Sequence, residues 1–156
     1  MSKAKKLLAS LTAIGLCTLA SSALADDVDD VMALVNQYAA TEGDLSAQTR
    51  IIRDDRVMIA GDVRQTDNKS NMAWQMATRE ANNRANGGPA RWMVRVESPE
   101  VRVYGNAAVA SFTRLMTIIP PNAAPINATP QWVSLVLVKE NGRWGIAHTH
   151  VSPIGG

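Results

Sequence analysis

Both histidines of the chain, His148 and His150, fall in its closing stretch, GRWGIAHTHVS (142–152). In a β-strand, residues two apart project to the same side. The pair therefore offers two imidazoles to one face, shared under strict alternation with Trp144 and Ile146. Neutral imidazoles ligate zinc, and an imidazole near neutral pH also accepts or donates a proton. A zinc site needs a third protein ligand. Glu97, Glu100 and Glu140 are the glutamates of the strand-rich half, and nothing in the sequence brings one of them to the histidines. The residues assign no metal and no cofactor. They leave His148 and His150 either packed at the strand end against Ser152 and backbone, or facing a pocket as ligand contacts or proton carriers.

Arg95 and Arg114 each interrupt an apolar strand-like run, WMVRVES (92–98) and SFTRLMT (111–117). A buried arginine is costly unless paired. Each therefore either meets a carboxylate or phosphate in an interior pocket or lies on a solvated face, ion-paired with Glu97 or Glu100. Tyr38 carries a phenol that must find a partner when buried. With His148 and His150 it makes up the candidates for proton transfer. Glu97 and Glu100 flank Pro99, at a bend or bulge, and Asp54 and Asp55 precede a strand, so no complete acid–base set is legible. Four tryptophans stand against a single phenylalanine. Trp74, Met76, Trp132 and Tyr38 are the expected apolar wall of a pocket, with His148, His150 and Arg95 or Arg114 as its polar contacts.

These side chains need elements to carry them. In DDVDDVMALVNQYAAT (26–41), Val28, Val31, Met32, Val35 and Tyr38 form the stripe of an amphipathic helix with an acidic first turn. Asp44 then caps a short helix in DLSAQTRII (44–52), and DRVMIAG (55–61) reads as a strand. A second long helix spans Thr66 to Asn86. Its stripe comprises Met72 and Met76 with Ala73, Ala77, Ala81 and Ala85, and NGGP (86–89) ends it. The remainder is β, with tight turns at Gly105-Asn106 and Asn141-Gly142 and a longer loop, PPNAAPINATP (120–130). Helices followed by an antiparallel meander predict an α+β fold. WVSLVLV (132–138) is apolar at both parities, which predicts that both faces of the sheet are covered. Helices cover one face and a second copy the other, giving a homodimer across the sheet.

The first 25 residues read as an export signal. Lys3, Lys5 and Lys6 precede an apolar run from Leu7 to Leu19, and Ala23-Leu24-Ala25 is a small-x-small cleavage pattern. The run is too short for an ordinary transmembrane helix, so no stable membrane anchor is expected, and the mature protein is periplasmic or secreted. Three of the 16 basic residues leave with the signal. The mature chain, residues 26–156, keeps 13 against 14 acidic residues, a net charge of −1. That balance lacks the basic patch nucleic acid requires. The only cysteine, Cys17, also lies in the signal, which excludes disulfides, thiolate nucleophiles and cysteine zinc sites from the mature domain. The remaining 131 residues suit one domain.

The order helix, short helix, strand, helix, meander resembles the nuclear transport factor 2-like superfamily. VRVYGNAAVASF (101–112) and WVSLVLVKENGRWGIAHTHVS (132–152) are similar to the C-terminal half of SnoaL-like domains, and the ending is also similar to the association domain of a calcium/calmodulin-dependent kinase. The resemblance implies a cone-shaped, strongly curved antiparallel sheet wrapped over N-terminal helices, with a pocket in its mouth. It implies no single activity. Three readings follow: a module binding a small, largely apolar ligand without catalysis; an acid–base enzyme of the isomerase, dehydratase or cyclase type; or an assembly domain with a filled cone. The first is preferred.

Overall fold

The computed structural model describes residues 26–155; the stretch read as an export signal, 1–25, lies outside the described residues. Helix α1 covers 26–40; of the expected stripe it buries Val31, Val35 and Tyr38 and half-buries Val28 and Met32 against the core, and it buries Leu34 and Ala39 besides. After a turn at 41–43, Asp44 caps α2 (Leu45–Gln48) by accepting a hydrogen bond from the Ala47 amide at 3.0 Å. Helix α3 (Asn68–Ala85) begins at Asp67, whose carboxylate accepts from the Ser70 amide and hydroxyl. Its inward face differs from expectation. Ala73, Ala77, Ala81 and Ala85 face solvent, whereas Asn68, Asn71 and Met72 are buried and Gln75, Met76 and Arg79 half-buried. The stripe seeds on Met72 and Met76 as predicted, but it continues through polar residues, which a count of apolar positions does not register.

Seven strands form one curved sheet: β1 (Ile52–Ala60), β2 (Val63–Gln65), β3 (Arg91–Tyr104), β4 (Ala107–Ile119), β5 (Ile126–Asn127), β6 (Gln131–Glu140) and β7 (Arg143–Pro153). The order is β2-β1-β7-β6-β4-β3, with β5 on β4. Pairing is antiparallel throughout except between β1 and β7, which run parallel. The concave face carries Phe112, Val133, Leu135, Leu137 and Ile146, all essentially inaccessible, packed with the α1 stripe.

Two bulges decide which side chains point inward. On β3 the register shifts between Glu97 and Glu100, with Ser98 in the left-handed region at φ 50°. On β7 it shifts at Ala147, between Ile146 and His148. A bulge adds one residue and inverts the alternation beyond it. Trp144 and Ile146 therefore face the core, and so do Thr149 and Val151, while His148 and His150 turn to the convex face. The expectation that the histidines share a face with Trp144 and Ile146 is corrected by this one residue.

Leu135 is fully buried at the centre of the core. Leu135→Ala is expected to cost about 2–5 kcal/mol in urea unfolding; a loss below about 1 kcal/mol would contradict this placement of the core.

Candidate functional site

The interior holds a charged centre built from four elements. Glu42, just after α1, receives Arg114 of β4 at 3.2 Å, the Gln48 amide of α2 at 3.2 Å and Arg79 of α3 at 3.8 Å. Arg79 also donates to the Glu42 backbone carbonyl and lies over the Trp92 ring, 4.0 Å from its centroid. Arg114 gives its Nε and a second nitrogen to Gln131 Oε1, at 3.0 and 2.6 Å. Only 7% of Arg114 and 2% of Arg56 are exposed. Burial pulls the Arg56 and Arg79 guanidiniums below the usual arginine range, with Glu42 opposing the shift for both. The Tyr38 phenol, also buried, is pushed up to about 12, first by desolvation and then by Glu42, against Arg114 and Arg56.

Above this centre, at the open end of the sheet, lies a cavity of about 660 Å³. Its walls include Ala39 and Ala40 of α1 and Trp92, Val94, Leu115 and Met116 of β3 and β4, with Arg95, Thr117 and Asn127 as polar groups. Met116 stands two residues beyond Arg114 on the same strand, so the arginine is one side-chain layer below the cavity. The space has the size of a small-molecule site and offers both apolar and polar surface.

The sequence-predicted residues divide between the two faces. Arg114 and Tyr38 lie in the interior. Met76 is half-buried against the core and lines a shallow groove with Leu45 and Arg79. Arg95 borders the cavity, but its side chain is 70% exposed and paired with Glu97 at 2.8 Å. Trp74, on the outer side of α3, and Trp132, on the convex side of β6, are 63% and 54% exposed, so neither walls the interior. The reason is parity: Met72 and Met76 define the inner side of α3, and Val133 that of β6. His148 lies between Val57 and Val136, and His150 between Ile59 and Ser134, so neither enters the interior with Tyr38. Sequence reasoning missed Glu42, Arg56, Arg79 and Trp92. The available signal was Arg56 inside DRVMIAG, at the inward parity of Met58. Among the described residues, no group of three or more His, Cys, Asp or Glu is placed to hold a metal ion.

A family model described as a SnoaL-like domain matches residues 28–155. An NTF2-like protein with a cystatin-like fold from Novosphingobium aromaticivorans superposes with a TM-score of 0.72 at 14% identity, covering 89% of each chain. An NTF2-like superfamily protein from Salmonella enterica serovar Typhimurium gives 0.66 at 20% identity, covering 88% of this chain and 94% of that one. The association domain of C. elegans CaMKII gives 0.58 at 17% identity, with 85% and 96% covered. At such identities the likeness is one of fold. No curated protein matches the chain.

Removing the one carboxylate that links these elements should be severe. Glu42→Gln is expected to lose about 3 kcal/mol or more, because it leaves buried guanidiniums uncompensated; urea unfolding checks this, and an unchanged midpoint would refute it. Tyr38 makes a separate prediction. Below pH 10 its phenol is neutral in folded and unfolded chains alike. Between pH 10 and about 12 the unfolded chain ionises first, so stability falls there by up to about 3 kcal/mol. In a Tyr104→Phe background, where Tyr38 is the only tyrosine, absorbance at the phenolate band should titrate near 12; a midpoint near 10 would place the ring in water.

Proposed function

The chain belongs to the SnoaL-like domain family, and from that premise we propose that it is an exported, dimeric domain binding a small, largely apolar ligand without transforming it. The observation that carries this reading is the cavity at the open end of the sheet, about 660 Å³ behind Trp92, Val94 and Met116. That volume falls in the range of small-molecule sites, and its lining sets Trp92, Val94 and Met116 beside the polar Arg95, Thr117 and Asn127. The absence of catalysis is argued from the candidates for proton transfer. Tyr38 is displaced away from neutrality to about 12, Glu42 is held by Arg114, Arg79 and Gln48, and His148 and His150 belong to the other face. A general acid or base works best with a pKa near the operating pH.

The second copy covers the convex face. There Val57, Ile59, Val109, Trp132 and Val136 surround the two histidines, with Trp132 and Val109 54% and 42% exposed in the single chain. This apolar strip supports the homodimer expected from the WVSLVLV pattern. Export rests on the charged, apolar and small-residue succession in residues 1–25.

Native mass spectrometry of gently purified mature protein tests both parts. The expected result is a dimer beginning at Asp26 and carrying an additional organic mass. Met116→Arg should lose that mass and keep the dimer, whereas Val136→Arg should yield monomer. A bare polypeptide that takes up no small molecule would favour an assembly domain with a filled interior.

A further inference from the structure

The convex face is without charge where its strands are central. The outward positions of β6 from Trp132 to Val138, of β4 from Ala107 to Thr113 and of β7 from His148 to Ser152 hold no Asp, Glu, Lys or Arg, although 19% of the chain is charged. Charge gathers at the borders instead. Arg95, Glu97, Glu100 and Arg102 of β3 pair with one another, and Arg64 of β2 lies at the opposite border, across from Ile59. An uncharged centre inside a polar rim is the anatomy of a protein–protein interface. Strands β1, β7, β6, β4 and β3, about 4.8 Å apart and 10 residues long in β6, outline about 800 Å². That is the share one partner brings to a stable complex. A centre with no charge asks for no partner of opposite sign, so it can meet its own copy, as an isologous contact requires.

The two histidines stand inside this centre, on β7 between β1 and β6. His148 is flanked by Val57 and Val136, and His150 by Ile59 and Ser134. In the single chain His148 is half-buried and His150 exposed. Charging both would set two cations about 7 Å apart on one strand. No carboxylate stands beside them. Asp55, two residues before Val57, is bound to Arg53 at 2.8 Å, and Glu140, at the end of β6, is bound to the same guanidinium. Arg64 is itself a cation. Further across, β4 presents Val109 and Ser111. Imidazole takes up a proton below about pH 6.5 in water, and a charge removed from water without a partner is costly.

We infer that the contact between copies is switched by pH: the dimer forms with His148 and His150 neutral and comes apart as they take up protons. Separated copies expose these imidazoles to water and bind protons more readily than the dimer, so acid favours separation. The contact returns as pH rises above about 6.5. The inference rests on the dimer proposed above and adds its regulation.

Sedimentation equilibrium of the mature protein at pH 7.5 and pH 5.5, at one ionic strength, tests it, with near-ultraviolet circular dichroism reporting the fold. The dimer dissociation constant should rise at least about a hundredfold at the lower pH, the effect of denying protons to two of the four imidazoles in the dimer, with the circular dichroism unchanged. The double variant His148→Gln, His150→Gln should dimerise equally at both pH values. His148→Lys, charged throughout, should be monomeric at pH 7.5. A dissociation constant that ignores pH would overturn the inference and leave the dimer standing. A monomer at pH 7.5 and tens of micromolar would overturn both. A pH response that persists in the double variant, or separation only with loss of the native circular dichroism, would overturn the switch as well. Should the double variant not fold, His150→Gln alone, at the exposed position, decides: it should cut the rise at least about tenfold, and an undiminished rise would overturn the switch.

Discussion

The interior is organised by one carboxylate. Glu42 follows the last turn of α1, where no regular hydrogen-bond ladder holds it. It nevertheless connects α1 to β4 through Arg114, to α3 through Arg79 and to α2 through Gln48. Each of those partners is tied elsewhere: Arg114 to Gln131 at the start of β6, Arg79 to the face of Trp92, and Gln48 to the Tyr38 carbonyl. A buried ion pair rarely stabilises a fold more than apolar packing of the same volume would. Its effect here is to fix where the helices sit over the open end of the sheet, and hence the shape of the cavity above it.

A second constraint comes from the bulges. Were the strand paired regularly through Ala147, His148 would continue the inward alternation of Trp144 and Ile146, and an imidazole would replace the Thr149 hydroxyl in the core. With it, the histidines join Val57, Ile59 and Val136 outside. One irregular residue thus separates a buried centre rich in arginine from a convex face rich in valine. The bulge on β3 acts similarly. It keeps Val96 and Val101 on the inner side although they stand an odd number of positions, five, apart, and it leaves Glu97 and Glu100 to pair with Arg95 and Arg102 at the surface.

These details explain why the fold was legible and the site was not. The α1 stripe from Val31 to Tyr38, the Asp44 cap, the turns at Gly105 and Gly142, and the helix end at 86–89 are local signals, each read from adjacent residues. The element order then pointed to the family that the SnoaL-like model matches over residues 28–155. Site residues depend on non-local facts. Trp74 and Trp92 are equally conspicuous in sequence, and only packing sends one to solvent and the other to the cavity wall. Arg114 could be named because it breaks an apolar run. Arg56 follows Asp54 and Asp55 and looked like one charge among several, and the polar inner side of α3 left no apolar period to follow.

The central claim is a buried cluster of arginines that holds more positive charge than its single carboxylate balances. Proton–nitrogen NMR of the arginine side chains addresses it most directly, because a guanidinium Nε–H sheltered from water exchanges slowly. Two slowly exchanging signals are expected, from Arg56 and Arg114, each lost in the variant of that residue, whereas Arg79, with 21% of its side chain exposed, should exchange faster. Rapid exchange at all eleven arginines of the chain would mean that water reaches the centre, and the account of a dry interior would be wrong.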